Sequence, residues 1–337
     1  MIVREVAAAV GLAEGERGVR AVLAAVARLE PVSTRRLART VDLPVPIVAS
    51  VCGELRKRAV VAEERPTQLT PLGRALYAAG GLDVHRAATC PRCAGRGLVV
   101  RAELKPLLAE MKQIAWAAPP ARPELDQCHC TPETKLRRVL ALHEADALVG
   151  RRVLFLGDDD LTSLAIERVV RRLGSTASIA RLAVVDVDPA VVEHVSRALA
   201  AAPFPMLCLE LDLRDPLPPS LRGAFDTVVT DPPYTVAGAR LFLARAAEAL
   251  DATGGDVFFS FGSRRPGVAL LVQRAIAELG FTIVRVQRDF NEYVGAGVLG
   301  GTSSLYHLSA ASELRRVVAD RYDGPLYTAD APALTAV

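Results

Sequence analysis

From about residue 136 onward, short apolar runs that end in a glycine or an acid alternate with longer stretches of helical periodicity. The strand candidates are RRVLFLG (151–157), RLAVVDVD (181–188), MLCLELD (206–212), FDTVVTD (225–231), GDVFFSFG (255–262) and FTIVRVQRDF (281–290). Between them lie DPAVVEHVSRALAA, TVAGARLFLARAAEAL and RPGVALLVQRAIAELG, each spaced for an amphipathic helix. Parallel neighbours need a crossover, the crossover is usually helical, and both faces of the sheet are then covered. The pattern predicts an α/β fold with a Rossmann-type, doubly wound sheet over residues 136–321.

The chain has 337 residues, so there is room for more than that sheet. Residues 1–80 carry a pattern of their own. VRAVLAAVARLE reads as a helix, STRRLARTVDL as a short helix capped by Ser33 or Thr34, and PVPIVASVCGELRKR as a helix opened by prolines. Two short strands about Pro66 and another helix follow. Three helices and a two-stranded wing describe an N-terminal winged-helix-like domain. The segment in the place of a recognition helix, PIVASVCGELRKR, is mostly apolar until Arg56, Lys57 and Arg58. It offers few side chains to base edges, so docking or dimerisation is expected ahead of DNA reading. Residues 81–135 are expected to form a cysteine-containing connector, and 322–337 a loosely held, flexible tail. The net charge of +3 does not argue for a nucleic-acid partner, and no run reaches the ~18–20 apolar residues of a membrane span. MIVREVAAAVGLAEGERG lacks the pattern of a signal peptide. A soluble, cytoplasmic protein is expected.

In doubly wound sheets, ligands bind outside the C-terminal ends of the strands. Those ends carry Asp158, Asp159 and Asp160 after Gly157, then Asp186 with Asp188, then Asp212, then Asp231. Gly157 suits the tight turn against a nucleotide. Asp186, which ends an apolar run, suits ribose hydroxyls, and Asp212 suits an adenine amino group. The most specific piece is FDTVVTDPPYT (225–235). Two prolines fix backbone angles and so hold the position of a nucleophilic amine. Asp231 and nearby carbonyls accept hydrogen bonds from that amine, and Tyr234 stacks on or boxes the substrate. This loop resembles that of adenosylmethionine-dependent amino-methyltransferases, which makes the expected sheet methyltransferase-like.

The turn GDDDLTS (157–163) is unusual for such an enzyme. Adenosylmethionine carries a carboxylate, and three carboxylates beside it would cost several kcal/mol if poorly screened. A helix N-terminus offsets only about half a charge. Without the ligand's carboxylate the sign reverses: decarboxylated adenosylmethionine is wholly cationic, and a polyamine acceptor brings further positive charge. The rivals at this turn are a magnesium site and helix capping by Asp158 alone.

GDDDLTS, DPPYT, FNEY (290–293) and TPET (131–134), taken together, resemble the branched-chain polyamine synthases, the N(4)-bis(aminopropyl)spermidine synthases. The resemblance covers most of the chain, including its winged-helix-like front. It implies transfer of aminopropyl groups from decarboxylated S-adenosylmethionine to the internal secondary amine of spermidine, with release of methylthioadenosine. It also implies a homodimer and a catalytic aspartate in the acidic turn. Within that frame, Asp159 is expected to orient and deprotonate the attacking amine with help from Asp231. Asp158 and Asp160 are expected to hold other ammonium groups, and Glu292 a distal polyamine nitrogen.

Cys90 and Cys93 in CPRCAGRG, with Cys128 and Cys130 in CHC, form two close pairs that suit a structural tetrahedral zinc, with His129 or His85 as alternative ligands. Two other readings of the whole chain stay open. An adenosylmethionine-dependent amino-methyltransferase acting on DNA or RNA explains DPPY but leaves the three aspartates unexplained, since phosphates are repelled by them. A winged-helix regulator that senses a nucleoside does not need a positioned nucleophile.

Overall fold

A computed structural model describes the chain except for residues 1, 42, 79–96, 174–178, 263–264, 296–300, 311–313, 315–319 and 331–337. The chain divides into two compact units, Met1–Gly95 with Gly295–Thr302, and Arg96–Val294 with Ser303–Val337.

In the first unit, helices α1 (Ile2–Val10), α2 (Gly15–Leu29), α3 (Thr34–Val41), α4 (Val45–Lys57) and α5 (Pro71–Ala78) succeed one another. They pack through Val6, Val19, Val22, Val26, Leu37, Val48, Val51 and Leu55. Ser33 is the cap of α3, its hydroxyl accepting from the Arg36 N–H at 3.3 Å. Where two strands about Pro66 were expected, the backbone forms only the bridges Val32–Thr67 and Val61–Leu69. The intervening AEERP is charged and broken by proline, so it has nothing to bury in a longer ladder.

The second unit is built on a seven-stranded sheet. Its strands are β1 (Arg152–Leu156), β2 (Arg181–Asp186), β3 (Met206–Glu210), β4 (Thr227–Thr230), β5 (Asp256–Phe261), β6 (Phe281–Glu292) and β7 (Thr302–Ala310). Their order is β3-β2-β1-β4-β5-β7-β6. The first five run parallel, and β7 lies antiparallel to β5. Alternate residues feed two cores, as two covered faces require. Val153, Phe155, Leu182 and Val184 enter one core; Leu154, Leu156, Ala183 and Val185 enter the other.

Helices α6 (Lys105–Ala117), α7 (Pro132–Glu144), α8 (Thr162–Leu173) and α9 (Pro189–Ala198) join the first core. Helices α10 (Val236–Ala249) and α11 (Pro266–Glu278) join the second. The strand order reverses between β1 and β4, which places the acidic turn and the DPPY loop side by side at the switch point. Among the described residues, no helix is long and apolar enough to cross a membrane.

Two expectations change here. The later part of the expected connector is structural: α6 inserts Leu107, Met111 and Ile114 into the sheet's core, because its apolar residues recur at helical spacing. The tail expected to hang loosely over 322–337 is seated where it is described, over residues 322–330. Leu326 is buried, its carbonyl accepts from the Thr235 hydroxyl at 2.8 Å, and the Thr328 N–H and hydroxyl each donate to Asp126 at 2.7 Å.

Candidate active site

The site begins where β1 ends. Gly157 takes φ +75° and its N–H donates to the Val185 carbonyl at 2.8 Å, tucking the turn against β2. The three aspartates that follow have three different surroundings.

Asp158 turns inward and caps α8. Its carboxyl accepts from the Thr162 N–H at 2.8 Å, the Ser163 N–H at 3.2 Å and the Ser163 hydroxyl. Burial nevertheless pushes its pKa up to about 7. It was expected to hold substrate ammonium; as placed, its oxygens are committed to the helix end.

Asp160 is also buried. One oxygen accepts from the Cys130 N–H, and the other from the Arg138 guanidinium at 2.6 Å. Burial alone would raise its pKa, but Arg138 and Lys135 together hold it below the usual carboxylate range. It too was expected to meet substrate ammonium and instead meets an internal cation.

Asp159 differs from both. Its carboxylate accepts from the Cys128 N–H at 3.2 Å and lines an open cleft. Burial, with Asp160, Asp231 and Asp186 nearby, pushes its pKa well above the ordinary value. A carboxyl held in that way is suited to taking a proton from an amine.

Helix α7 delivers the partner cations. TPET starts it: the Thr131 hydroxyl accepts from the Thr134 N–H at 3.3 Å, and Pro132 occupies the first turn. Lys135 and Arg138, almost wholly buried, then point beneath the acidic turn. Arg138 is a hub. Its Nε donates to Asn291 Oδ1 at 2.8 Å, and its terminal nitrogens donate to Asp160 at 2.6 Å, Asp231 at 2.6 Å and the Tyr293 hydroxyl at 3.2 Å. Sequence reasoning passed over Arg138 and Lys135. The available signal was a set of charges at 135, 137 and 138 interleaved with Leu136 and Val139, a helix with no purely polar face.

The DPPY loop follows β4. Thr235 caps α10 by accepting from the Gly238 N–H at 2.9 Å, and a Cβ at Gly238 would meet the Pro233 carbonyl at 2.4 Å. The glycine is what lets loop and helix approach so closely. Asp231 accepts from the Tyr234 hydroxyl at 3.0 Å, the Tyr293 hydroxyl at 2.7 Å and Arg138. Burial raises its pKa, Arg138 opposes that, and Asp160 reinforces it. Burial also pushes both tyrosines well above their ordinary value, so they stay protonated as donors. Asn291 donates to the hydroxyls of Ser260 at 3.0 Å and Ser303 at 2.9 Å, which fixes the amide that receives Arg138.

The cleft measures about 570 Å³, counting the solvent at its mouth. Leu211, Leu213, Val187, Pro233, Phe242 and Leu326 give it apolar walls, with Tyr327 and Gly157 at its edges. Its lining, among the described residues, also holds five aspartates, Asp126, Asp159, Asp186, Asp212 and Asp231, and no lysine, arginine or histidine. Asp186 accepts from the Asp158 and Asp188 N–H groups, each at 2.9 Å, and burial raises its pKa. It therefore organises the turn as well as facing the cleft. Asp212 accepts from the Arg214 N–H at 2.9 Å and from Arg321 at 3.3 Å.

Glu292 is not part of this lining. Its carboxylate lies 3.7 Å from the Arg137 guanidinium, which also donates to the Phe290 carbonyl at 2.8 Å. The role expected for it, at a distal polyamine nitrogen, is not supported by that placement. The zinc expectation also changes. Cys90 and Cys93 lie outside the described residues. Cys130 is buried with the Lys135 ammonium 3.8 Å from its sulfur, and burial pushes its thiol up. Cys128 donates its thiol to the Val294 carbonyl at 3.3 Å. This pair does not fit a zinc thiolate site. Among the described residues, His129, Asp159 and Asp160 come close enough together for a cation. However, both His129 ring nitrogens lie on the carbonyls of Asp159 and Pro119, at 2.9 and 2.8 Å.

Fold and site together define a Rossmann-type transferase with a nucleoside-sized, acidic cleft at its switch point. More particularly, the chain belongs to the branched-chain polyamine synthase family: residues 106–316 match the branched-chain polyamine synthase A C-terminal domain. It is 33% identical to the N(4)-bis(aminopropyl)spermidine synthase of Thermococcus kodakarensis over 272 residues, 78% of this chain and 75% of that one. It is 33% identical to an uncharacterized protein of Methanocaldococcus jannaschii over 311 residues, 91% of this chain and 77% of the other. A branched-chain polyamine synthase mutein from Thermus thermophilus superposes with a TM-score of 0.70 at 27% identity, covering 95% of this chain and 93% of that one. That structure is a complex with N4-aminopropylspermidine and 5'-methylthioadenosine.

Proposed function

We propose that this chain moves aminopropyl groups from decarboxylated S-adenosylmethionine to the internal secondary amine of spermidine, giving branched-chain polyamines and methylthioadenosine. The observation that carries this reading is the lining of the cleft: five aspartates and, among the described residues, no basic side chain. A donor's carboxylate would lie among these acids, and like charges close together cost several kcal/mol where they are poorly screened. A donor with only sulfonium and ammonium charges has no such conflict. The two ligands of the Thermus thermophilus relative are the product of one aminopropyl transfer and the spent donor.

The chemistry is an in-line displacement. The amine nitrogen attacks the methylene carbon beside sulfur, the C–S bond breaks, and its electron pair stays on sulfur as the thioether of methylthioadenosine. Spermidine's internal amine is protonated in water and must lose that proton first. Asp159 accepts it and keeps the lone pair aimed at carbon. Asp231, held by two tyrosines and Arg138, stiffens the loop across which the amine approaches. Tyr234 walls the acceptor, while Gly157, Asp186 and Asp212 face the nucleoside.

The first unit serves as a winged-helix-like docking domain over residues 1–80 in a homodimeric, cytoplasmic enzyme. Glu54 pairs with Lys57 at 2.6 Å and Arg58 at 2.5 Å, and Arg56 donates to the Ala62 carbonyl at 3.2 Å, so all three basic side chains at this end of α4 already have partners within the unit. That weighs against a phosphate backbone as its partner. Light scattering should return twice the 35.9 kDa chain mass.

The function is tested by incubating the protein with spermidine and each donor in turn and weighing the product. An aminopropyl gain from the decarboxylated donor is expected. A methyl gain from adenosylmethionine, or tighter calorimetric binding of that carboxylate-bearing donor, would overturn the reading in favour of an amino-methyltransferase.

A further inference from the structure

We infer that Arg138 is a positioning residue for the transfer: its guanidinium ties Asp160 and Asp231 to one another, so that Asp159 alone meets the acceptor amine. This rests on the aminopropyl-transfer reading above and assigns a part to a residue that does not line the cleft.

The geometry leaves Arg138 little other business. It is 4% exposed and donates in three directions, to the acidic turn, the DPPY loop and the end of β6. These segments are far apart in sequence; the contacts span 22, 93 and 153 residues. Only a planar fork reaches all three, and a lysine ammonium would supply the charge without the directions. Asn291 is oriented to receive the Nε by its own bonds to Ser260 and Ser303. Tyr293 touches the guanidinium, Asp231 and Ser303, at 3.2, 2.7 and 2.9 Å.

Without such a cation, Asp159, Asp160 and Asp231 would compete for the same cationic acceptor. Spermidine would then be held strongly and in several registers, most of them with the wrong nitrogen facing the donor. With Arg138 in place, two of the three carboxylates are occupied from behind, and the acceptor has one register at the reacting carbon. The acidity that attracts the polyamine is thereby separated from the acid that selects which nitrogen reacts.

The test splits turnover from binding in Arg138→Ala and Arg138→Lys. Both variants should turn over about 100-fold more slowly, the cost of a misplaced reacting atom. Arg138→Ala should nonetheless bind spermidine about threefold or more tightly by calorimetry, since two carboxylates are released to it. Added guanidinium should restore turnover to Arg138→Ala, and methylammonium should not. A folded variant of either kind with wild-type turnover overturns the inference. So does a loss of turnover matched by equal losses of spermidine and methylthioadenosine binding, which marks a purely structural role. Should Arg138→Ala fail to fold, Arg138→Lys carries the turnover test. Wild-type protein in the same assay separates the two failures: no aminopropyl product from it sinks the function itself, and the spermidine-binding comparison then still decides the part played by Arg138.

Discussion

Two arginines are buried on helices that cover opposite faces of the sheet, and their surroundings differ. Arg245 on α10 donates to the main-chain carbonyls of Leu213 and Arg214 at 2.9 and 3.0 Å and pairs with Glu248, one turn along the same helix. Glu248 in turn accepts from the Leu217 N–H at 3.1 Å. Every partner is a side chain of the same helix or a main-chain carbonyl of the loop after β3. Arg138 on α7 has instead two carboxylates from the ends of two different strands, Asp231, which lines the cleft, and Asp160, next to Asp159, which also lines it. A buried charge satisfied by its own helix and by carbonyls holds a loop in shape. A buried charge satisfied by two side chains of the reactive centre arranges chemistry. Burial alone does not tell the two apart; the origin of the partners does.

The largest expected effect separates the chemistry from the frame on the Arg138 side. Asp159→Asn keeps the shape of the side chain and removes its charge, and turnover should fall by about 10²–10⁴-fold, the usual worth of a positioned base. Stability should not fall with it. Burial and neighbouring acids already resist ionisation of Asp159, so the amide removes an unfavourable charge. Thermal melting alongside product mass checks both halves. Undiminished turnover would contradict the role assigned to Asp159 and would reduce the Arg138 cluster to a second scaffold.

On the Arg245 side the expectation is reversed. Arg245→Met leaves Glu248 buried without its cation and should cost about 3–5 kcal/mol in denaturant unfolding. Turnover per folded molecule should persist. Pairing it with Glu248→Leu should recover most of the loss, because a buried pair replaced by apolar groups is often neutral. A collapse of turnover in protein that is still folded would break the comparison, since Arg245 would then also govern the cleft through Leu213.

The contrast also explains what could be read from the residues alone. Buried parallel strands are continuous apolar runs, and β1, β2, β4 and β5 were visible for that reason; β3 and β6, the two edges of the sheet, are more exposed and were visible from their β-branched and apolar residues. β7 was not: TSSLYHLSA interleaves small polar residues with apolar ones, and it forms by pairing antiparallel to β5 rather than from a pattern of its own. The acids of the site were visible because they end strands. Their partners were not, because Arg138 and Lys135 become buried only when α7 packs into the sheet's first core. Three adjacent aspartates therefore read as one acidic surface, whereas packing gives one to a helix end, one to an arginine and one to the cleft. Similarly, C-x-C read as a metal pair, while the structure puts a lysine ammonium at one of the two sulfurs.

The smallest effect tests that division within the turn itself. Asp158 and Asp160 are two residues apart and titrate in opposite senses: burial raises Asp158 to about 7, and Arg138 with Lys135 overcomes burial to lower Asp160. Asp158→Ala should remove a cap and cost about 0.5–2 kcal/mol, with spermidine affinity unchanged. The sign of its pH dependence follows from linkage. Below the unfolded value, near 3.8, the carboxyl is protonated in both states and the full contribution of the cap is present. As pH rises, the unfolded chain gives up this proton first, while the folded protein keeps it until about 7. Wild-type stability is drawn down across that interval and the variant's is not, so the measured cost should shrink from pH 4 to 7 and then level off. An Asp158 paired to substrate-binding cations would behave like Asp160, whose lowered value confines the change to below about pH 4, so the cost of its removal would stay level from pH 4.5 to 7.5. Urea unfolding of both proteins at pH 4.5 and 7.5 distinguishes the two. A cost that does not shrink between these two values would return Asp158 to the acidic face of the cleft and leave Arg138 with one fewer charge accounted for.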